Sequence, residues 1–298
     1  MLQPTRRDGQ RDGRLRAAAD VSSVFFLFPA KTKSNSAEND RSASAMDRGL
    51  FTARLVGDAS LTLGMLGGAL VMELLARSDM RGESVAVEHD DEAGVSYARR
   101  DRRCQMHRRL LPCDSAMVGP YRRGIARTSD ALAALAIGLP MALVAVAARS
   151  GPGTGSGEWR TTVALVDAVV VTQSIAAALL LAQIAKLSVR RDRPYARYDA
   201  LRYDDAPRLA HDIDATRSFF SAHTAASFAA SVGVIATLSQ HTDVRPVSPA
   251  LWYATCVSVG LAIATGSSRC FAAMHYISDV CVGTVVGSCV ALAVAWLH

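Results

Sequence analysis

Apolar residues along this chain are gathered into six long runs separated by polar stretches. The runs extend from Leu55 to Ala76, Ala131 to Ala148, Thr161 to Ala185, Ala222 to Leu238, Ala250 to Thr265 and Ile277 to Leu297. About 20 helical residues cross the roughly 30 Å hydrocarbon core of a bilayer, and most of the runs approach that length. In lipid each backbone N–H and C=O must be satisfied within its own segment, so every run is expected to be a helix. The fourth and fifth runs are the shortest. The competing reading is a large soluble helical protein with unusually apolar helices. The expected fold class is all-α, a six-transmembrane-helix bundle.

The polar stretches divide the rest. Residues 1–50 are polar and carry Arg6, Arg7, Arg11, Arg14 and Arg16. The apolar patch Val24 to Pro29 is too short to span, and it has no convincing signal-peptide core or cleavage site. This stretch is expected to be a disordered N-terminal tail, with Met46 as an alternative start. Residues 51–298 form the expected membrane domain, with an arginine-rich polar loop at 77–130. Two further polar segments run from Leu187 to Ser221 and from Ser267 to Tyr276. Tail and loop are both basic, so Lys and Arg counts give a poor orientation signal. Asp58, Glu73 and Asp167 fall inside runs, where a carboxyl needs a partner or water. They are expected to serve packing or hydrogen bonding between helices rather than catalysis.

Composition sharpens this picture. Half the residues are hydrophobic but only 6% are aromatic, the surplus being Ala, Val and Leu. The formal charge of +6 suits nucleic acid, anionic lipid or phosphate equally. Arginines spread over loops without interleaved aromatics argue against nucleic acid as a partner. The six cysteines lack metal-type spacing, and no metal or cofactor is expected. Cys256, Cys281 and Cys289 sit in apolar runs as small hydrophobes. Cys104 and Cys113 share the polar loop and are candidates for a disulfide if it faces an oxidising compartment.

Candidate chemistry lies in three clusters: Lys186 to Pro194 after the third run, Ser218 to His223 before the fourth, and Ser268 to Asp279 between the fifth and sixth. Counting spans puts all three on one membrane face. Lys186, Arg193 and Arg269 supply fixed charge and donors suited to a phosphoryl group. His223 and His275 are candidates for nucleophile and general acid. His275 and Asp279, spaced i, i+4, share a helix face, where a carboxylate can fix the imidazole tautomer. Ser221 and the amides around Ala222 open a helix, a position that binds anions. Taken singly, Lys186, Arg190 and Arg191 would snorkel from a helix end. Arg190, Arg191, Arg197, Arg202 and Arg217 are expected to be solvated loop charge. His107, His211, His241 and His298 are expected to be merely interfacial.

The pattern K-x6-RP from Lys186 to Pro194, a PSGH-like element from Ser218 to His223, and SR-x5-H-x3-D from Ser268 to Asp279 resembles the type 2 phosphatidic acid phosphatase superfamily. The resemblance covers roughly residues 130–298. It implies a helical-bundle phosphatase core acting on a lipid phosphate or isoprenyl pyrophosphate without a metal. It also implies residue roles. Lys186, Arg193 and Arg269 hold the phosphate oxygens, with hydrogen bonds from Ser221 and the Ala222 amide. His275 attacks phosphorus to give a phosphohistidine, Asp279 orients it, and His223 protonates the leaving oxygen. The family usually places this site on the outer face, which puts Cys104 and Cys113 outside as well.

The second element departs from the family, reading SFFSAH where the family has SFPSGH. Phe220 replaces a proline that presets a helix start. Ala222 replaces a glycine. Alanine keeps the amide but resists positive φ, and its methyl would crowd the phosphate. Reduced or altered activity is expected. Two alternatives to hydrolysis stand: a lipid phosphotransferase of the same chemistry, and a catalytically weakened lipid-binding membrane protein.

Overall fold

The computed structural model describes residues 54–75, 110–150, 157–202, 213–240 and 248–298, all within one compact unit. The expected tail over 1–50, residues 76–109 of the polar loop with Cys104 and His107, and His211 and His241 lie outside the described residues. Six helices are long and apolar enough to cross a membrane. We number all helices in chain order. The spans are α1 (Arg54–Leu75), α3 (Arg123–Ser150), α4 (Gly157–Val189), α6 (Ala222–Gln240), α7 (Pro249–Phe271) and α8 (Ile277–Leu297). Two short helices, α2 (Pro112–Ser115) and α5 (Pro194–Arg202), and a 3-10 turn at Ile213–Thr216 connect them. No strand occurs among the described residues. The chain is an integral, multi-pass all-α membrane protein.

Helix ends overrun the apolar runs. Helix α3 begins at Arg123 rather than Ala131, α4 continues past Ala185 to Val189, and α7 continues past Thr265 to Phe271. Hydropathy marks the hydrocarbon core, whereas the hydrogen-bond ladder persists through the interface. The overruns matter because they place Lys186 in the last turn of α4 and Arg269 in the last turn of α7.

Helix α6 forms the centre, with 72% of its span buried, against 11% for α1. Its sequence is largely Ala, Ser, Thr and Gly. Lipid supplies no hydrophobic drive between helices, so small residues that let backbones approach are what bring spans together. Gly283 and Gly287, spaced i, i+4 on α8, face α6. A Cβ on Gly283 would lie 2.8 Å from the Ser221 carbonyl, and one on Gly287 would collide with the Ala225 backbone. Ser231 on α6 and Ser258 on α7 share a hydrogen bond of 2.8 Å between buried hydroxyls.

The intramembrane carboxylates find partners between elements. Glu73, near the end of α1, pairs with Arg217 Nη1 at 3.3 Å, and Asp58, near its start, lies 3.5 Å from His298 Nδ1. Asp167 is buried. Arg217 is therefore not the solvated charge expected from the sequence, for it is only 6% exposed. His298 is likewise tied in, its Nε2 lying 2.8 Å from Gln173 Oε1.

Candidate active site

Three loops meet at one end of the bundle. They run through residues 190–195, 215–221 and 272–276, and backbone hydrogen bonds stitch them together. The Arg193 N–H donates to the Ala215 carbonyl at 2.7 Å, Ser218 N–H to the Arg191 carbonyl at 2.9 Å, and Tyr195 N–H to the Ala273 carbonyl at 3.0 Å. Helix α4 stops because Arg190 adopts a left-handed φ of 46°. Proline at position 194 then opens α5, where its fixed φ suits a first helical residue. Helix α7 ends in the same way. Ala273 has φ 59°, and Met274 N–H returns to the Arg269 carbonyl at 3.1 Å. An alanine in this region is strained by about 1 kcal/mol relative to glycine.

The platform fixes His275. Its Nδ1 lies 2.7 Å from the Ser218 carbonyl, and Asp279 Oδ2 is 3.8 Å away. A carbonyl only accepts, so Nδ1 carries the proton and Nε2 keeps its lone pair. The i, i+4 spacing thus brings Asp279 to ion-pair distance, while the nearest acceptor is a loop carbonyl. Asp279 itself is fully buried and accepts from Ser218 Oγ at 2.5 Å, Arg191 Nη1 at 2.5 Å and the Tyr276 N–H at 3.1 Å. The last contact caps α8, where a carboxylate also meets the favourable end of the helix dipole. His275 is buried, and that burial, together with the charges of Arg193 and Lys186, outweighs Asp279 and lowers its pKa to about 4. The ring is therefore neutral at physiological pH.

The other expected residues gather around it. Electrostatically, His223 senses Arg269, His275, Lys186 and Arg193 as neighbours. The charges of Arg193, Arg217, Asp214 and Glu73 act on Lys186. Arg193 and Arg269 are both buried. Arg193 Nε donates to the Asp214 carbonyl at 2.7 Å, and Arg269 Nη1 contacts Met274 Sδ at 3.0 Å. Arg193 Nη1 and Arg269 Nε are buried without a hydrogen-bond partner among the described residues. Buried guanidinium donors left unpaired are costly, so these two nitrogens mark a site for an acceptor that the chain does not supply. No cluster of His, Cys, Asp and Glu fit for a metal occurs among the described residues.

Ser221 and Ala222 stand at the start of α6. The Ser221 N–H donates to the Asp279 carbonyl at 3.2 Å, and its hydroxyl accepts from Thr224 Oγ1 at 2.9 Å. The Ala222 N–H belongs to the unpaired first turn of the helix. The positive φ considered for Ala222 does not occur, since the only non-glycine residues with positive φ among those described are Arg190 and Ala273. Ala222 sits in an apolar cluster with Ala178, Ala182 and Phe220.

Sequence reasoning missed four residues here. Arg191, expected to be solvated, joins Asp279 to Asp114 on α2, its Nη2 lying 2.8 Å from Asp114 Oδ2, and its guanidinium stacks 4.1 Å over the Tyr276 ring. Cation and aromatic face reinforce each other there. Asp114 is fully buried and also accepts from the Ser278 N–H at 3.0 Å and Ser278 Oγ at 2.6 Å. Burial raises the Asp114 pKa, but the Ser278 and Arg191 contacts outweigh it and hold the carboxyl below its usual range. Ser218 bears on both His275 and Asp279. Asp130 on α3 pairs with Arg269 Nη2 and lies 3.4 Å from His223 Nε2. Cys113 is a free thiol, and its candidate partner Cys104 lies outside the described residues.

Searches of curated proteins and of solved structures give no match to this chain. A family model, that of the PAP2 superfamily, matches residues 167–298. That segment holds all three clusters, whereas Asp114 and Asp130 precede it. That match points to a phosphatase-type function on lipid-like substrates. The match over residues 167–298 supports the type 2 phosphatidic acid phosphatase superfamily for that segment.

Proposed function

We propose that this protein is a membrane phosphatase that hydrolyses a lipid phosphate or an isoprenyl pyrophosphate through a phosphohistidine. The observation that carries the reading is a neutral, buried His275 with its Nε2 lone pair free, set beside two buried guanidinium groups with unpaired N–H donors. Arg193, Arg269 and Lys186 bind the phosphoryl oxygens and offset their charge, as Mg²⁺ does in other phosphoryl transfer enzymes. The Ser221 hydroxyl and the first-turn amide of Ala222 add to this cradle.

His275 Nε2 attacks phosphorus. The N–P bond forms as the bond to the lipid oxygen breaks, and His223 gives that oxygen its proton. Water then attacks the phosphohistidine, His223 recovers a proton from it, and phosphate leaves. Asp279 stabilises the positive charge that the His275 ring gains, and Ser218 holds its tautomer. The site lies on the outer face of the membrane in this reading, with both chain ends inside.

The test is phosphate release by the purified protein in detergent, with EDTA present, from phosphatidic acid and isoprenyl pyrophosphate. Wild type is expected to release phosphate from at least one, and His275→Ala to lose about 10³-fold or more. Turnover that survives His275→Ala would remove the nucleophile assignment. Labelled lipid offered with an acceptor alcohol separates hydrolysis from transfer.

A further inference from the structure

Asp130 is the one carboxylate among the described residues in contact with both Arg269 and His223. A single atom, Oδ1, makes both contacts. It accepts from Arg269 Nη2 and lies 3.4 Å from His223 Nε2. An oxygen shared by that guanidinium and that imidazole is what the proposed chemistry asks of a substrate oxygen. Asp130 therefore occupies the seat of a phosphoryl group with a carboxylate of the chain's own.

Its surroundings separate it from the other acids of the site. Asp279 and Asp114 are fully buried and locked by several donors each. The Asp130 side chain is 58% exposed and belongs to α3, outside the matched family segment. A half-exposed aspartate has water available when it turns aside, so releasing Arg269 costs it little. Arg269 is buried and has no such freedom. When an anion arrives, Asp130 is the member that moves.

We propose that Asp130 is a specificity-determining residue, a resident counter-ion that an incoming phosphoryl group displaces and whose charge favours monoesters over pyrophosphates. The inference rests on the phosphate-site reading above. Once displaced, the carboxylate stays tethered near the site. Its repulsion then grows with the charge of the ligand, which is greater for a pyrophosphate than for a monoester. This is discrimination by a repulsive element rather than by an added contact.

The test uses Asp130→Asn, which keeps the shape and removes the charge, with Asp130→Ala as the second variant. Binding of inorganic phosphate and inorganic pyrophosphate to the full chain in detergent is read from ligand-dependent melting. Both variants are expected to bind pyrophosphate about tenfold tighter than wild type does, and phosphate tighter by a smaller factor. The ratio of kcat/KM for isoprenyl pyrophosphate to that for phosphatidic acid is expected to rise in parallel. Unchanged or weaker anion binding overturns the proposal, as does equal tightening for both anions. Loss of folded protein in both variants also overturns it, since Asp130 would then be a structural ion-pair partner. The binding arm needs no turnover, so a wild type that hydrolyses neither lipid refutes the phosphatase reading while the anion comparison still decides Asp130.

Discussion

Helices α6 and α1 are both apolar enough to span a bilayer, yet they occupy opposite extremes of the bundle. Helix α6 buries 72% of its span and is built from small residues, whereas α1 buries 11% and exposes Val56, Leu61, Leu63 and Leu70. In water the large apolar side chains would be the buried ones. In lipid they gain nothing by burial, and the interior goes to residues whose backbones can approach. The active-site platform is therefore built where the small residues are, around α6 and its contact with α8.

The largest test of this contrast is Gly287→Leu. The new side chain meets the Ala225 backbone and forces α8 from α6. A loss of about 3 kcal/mol or more is expected in detergent unfolding, with phosphate release lost as Asp279 shifts. Next is Arg191→Met. It removes the shared cation of two buried carboxylates, costing about 3 kcal/mol in the same assay and lowering turnover even where the fold survives.

Glu73→Gln probes the place where α1 reaches the inner region. It removes the counter-charge of the buried Arg217 and is expected to cost roughly 2 kcal/mol. The pH profile reports on the inner region itself. The His275 pKa is about 4 in the fold, below the free imidazole value near 6.5, so the unfolded chain takes up a proton first as pH falls. Its contribution to stability is complete above about pH 6.5 and is lost as pH drops towards 4. The acid limb of kcat/KM is expected near pH 4, falling tenfold per unit below it, and a limb near 6.5 would show that His275 is more solvated than its burial implies. The smallest effect belongs to Leu63→Ala on the exposed side of α1, within about 0.5 kcal/mol of wild type in detergent unfolding.

The six spans were legible in the sequence. Hydropathy marks the part of each helix that lies in hydrocarbon, and counting spans gives which ends share a face. Small residues one turn apart, such as Gly283 and Gly287 in the sixth run, are a close-packing signal that hydropathy alone passes over. The contacts of Arg191 with Asp114 and of Arg217 with Glu73 were not legible. Each joins residues 77 or 144 positions apart, and a run such as Arg190–Arg193 has no internal mark that separates the buried guanidinium from the solvated one. The i, i+4 spacing brought Asp279 within 3.8 Å of His275, but not on one helix face, because His275 lies in the loop before the Tyr276 cap and only Asp279 is on the helix. It could not reveal that a loop carbonyl would be the nearest acceptor, since that depends on where residue 218 comes to rest.

Three of the bonds between the three platform loops use only main-chain N–H and C=O groups. Phe220 and Ala222, the two positions at which SFFSAH departs from the family element, lend no side-chain group to these bonds, so the departure leaves the anchor points in place. The vulnerability lies elsewhere: proline at Arg193, Tyr195 or Ser218 would delete a stitch outright, whatever its side chain contributes.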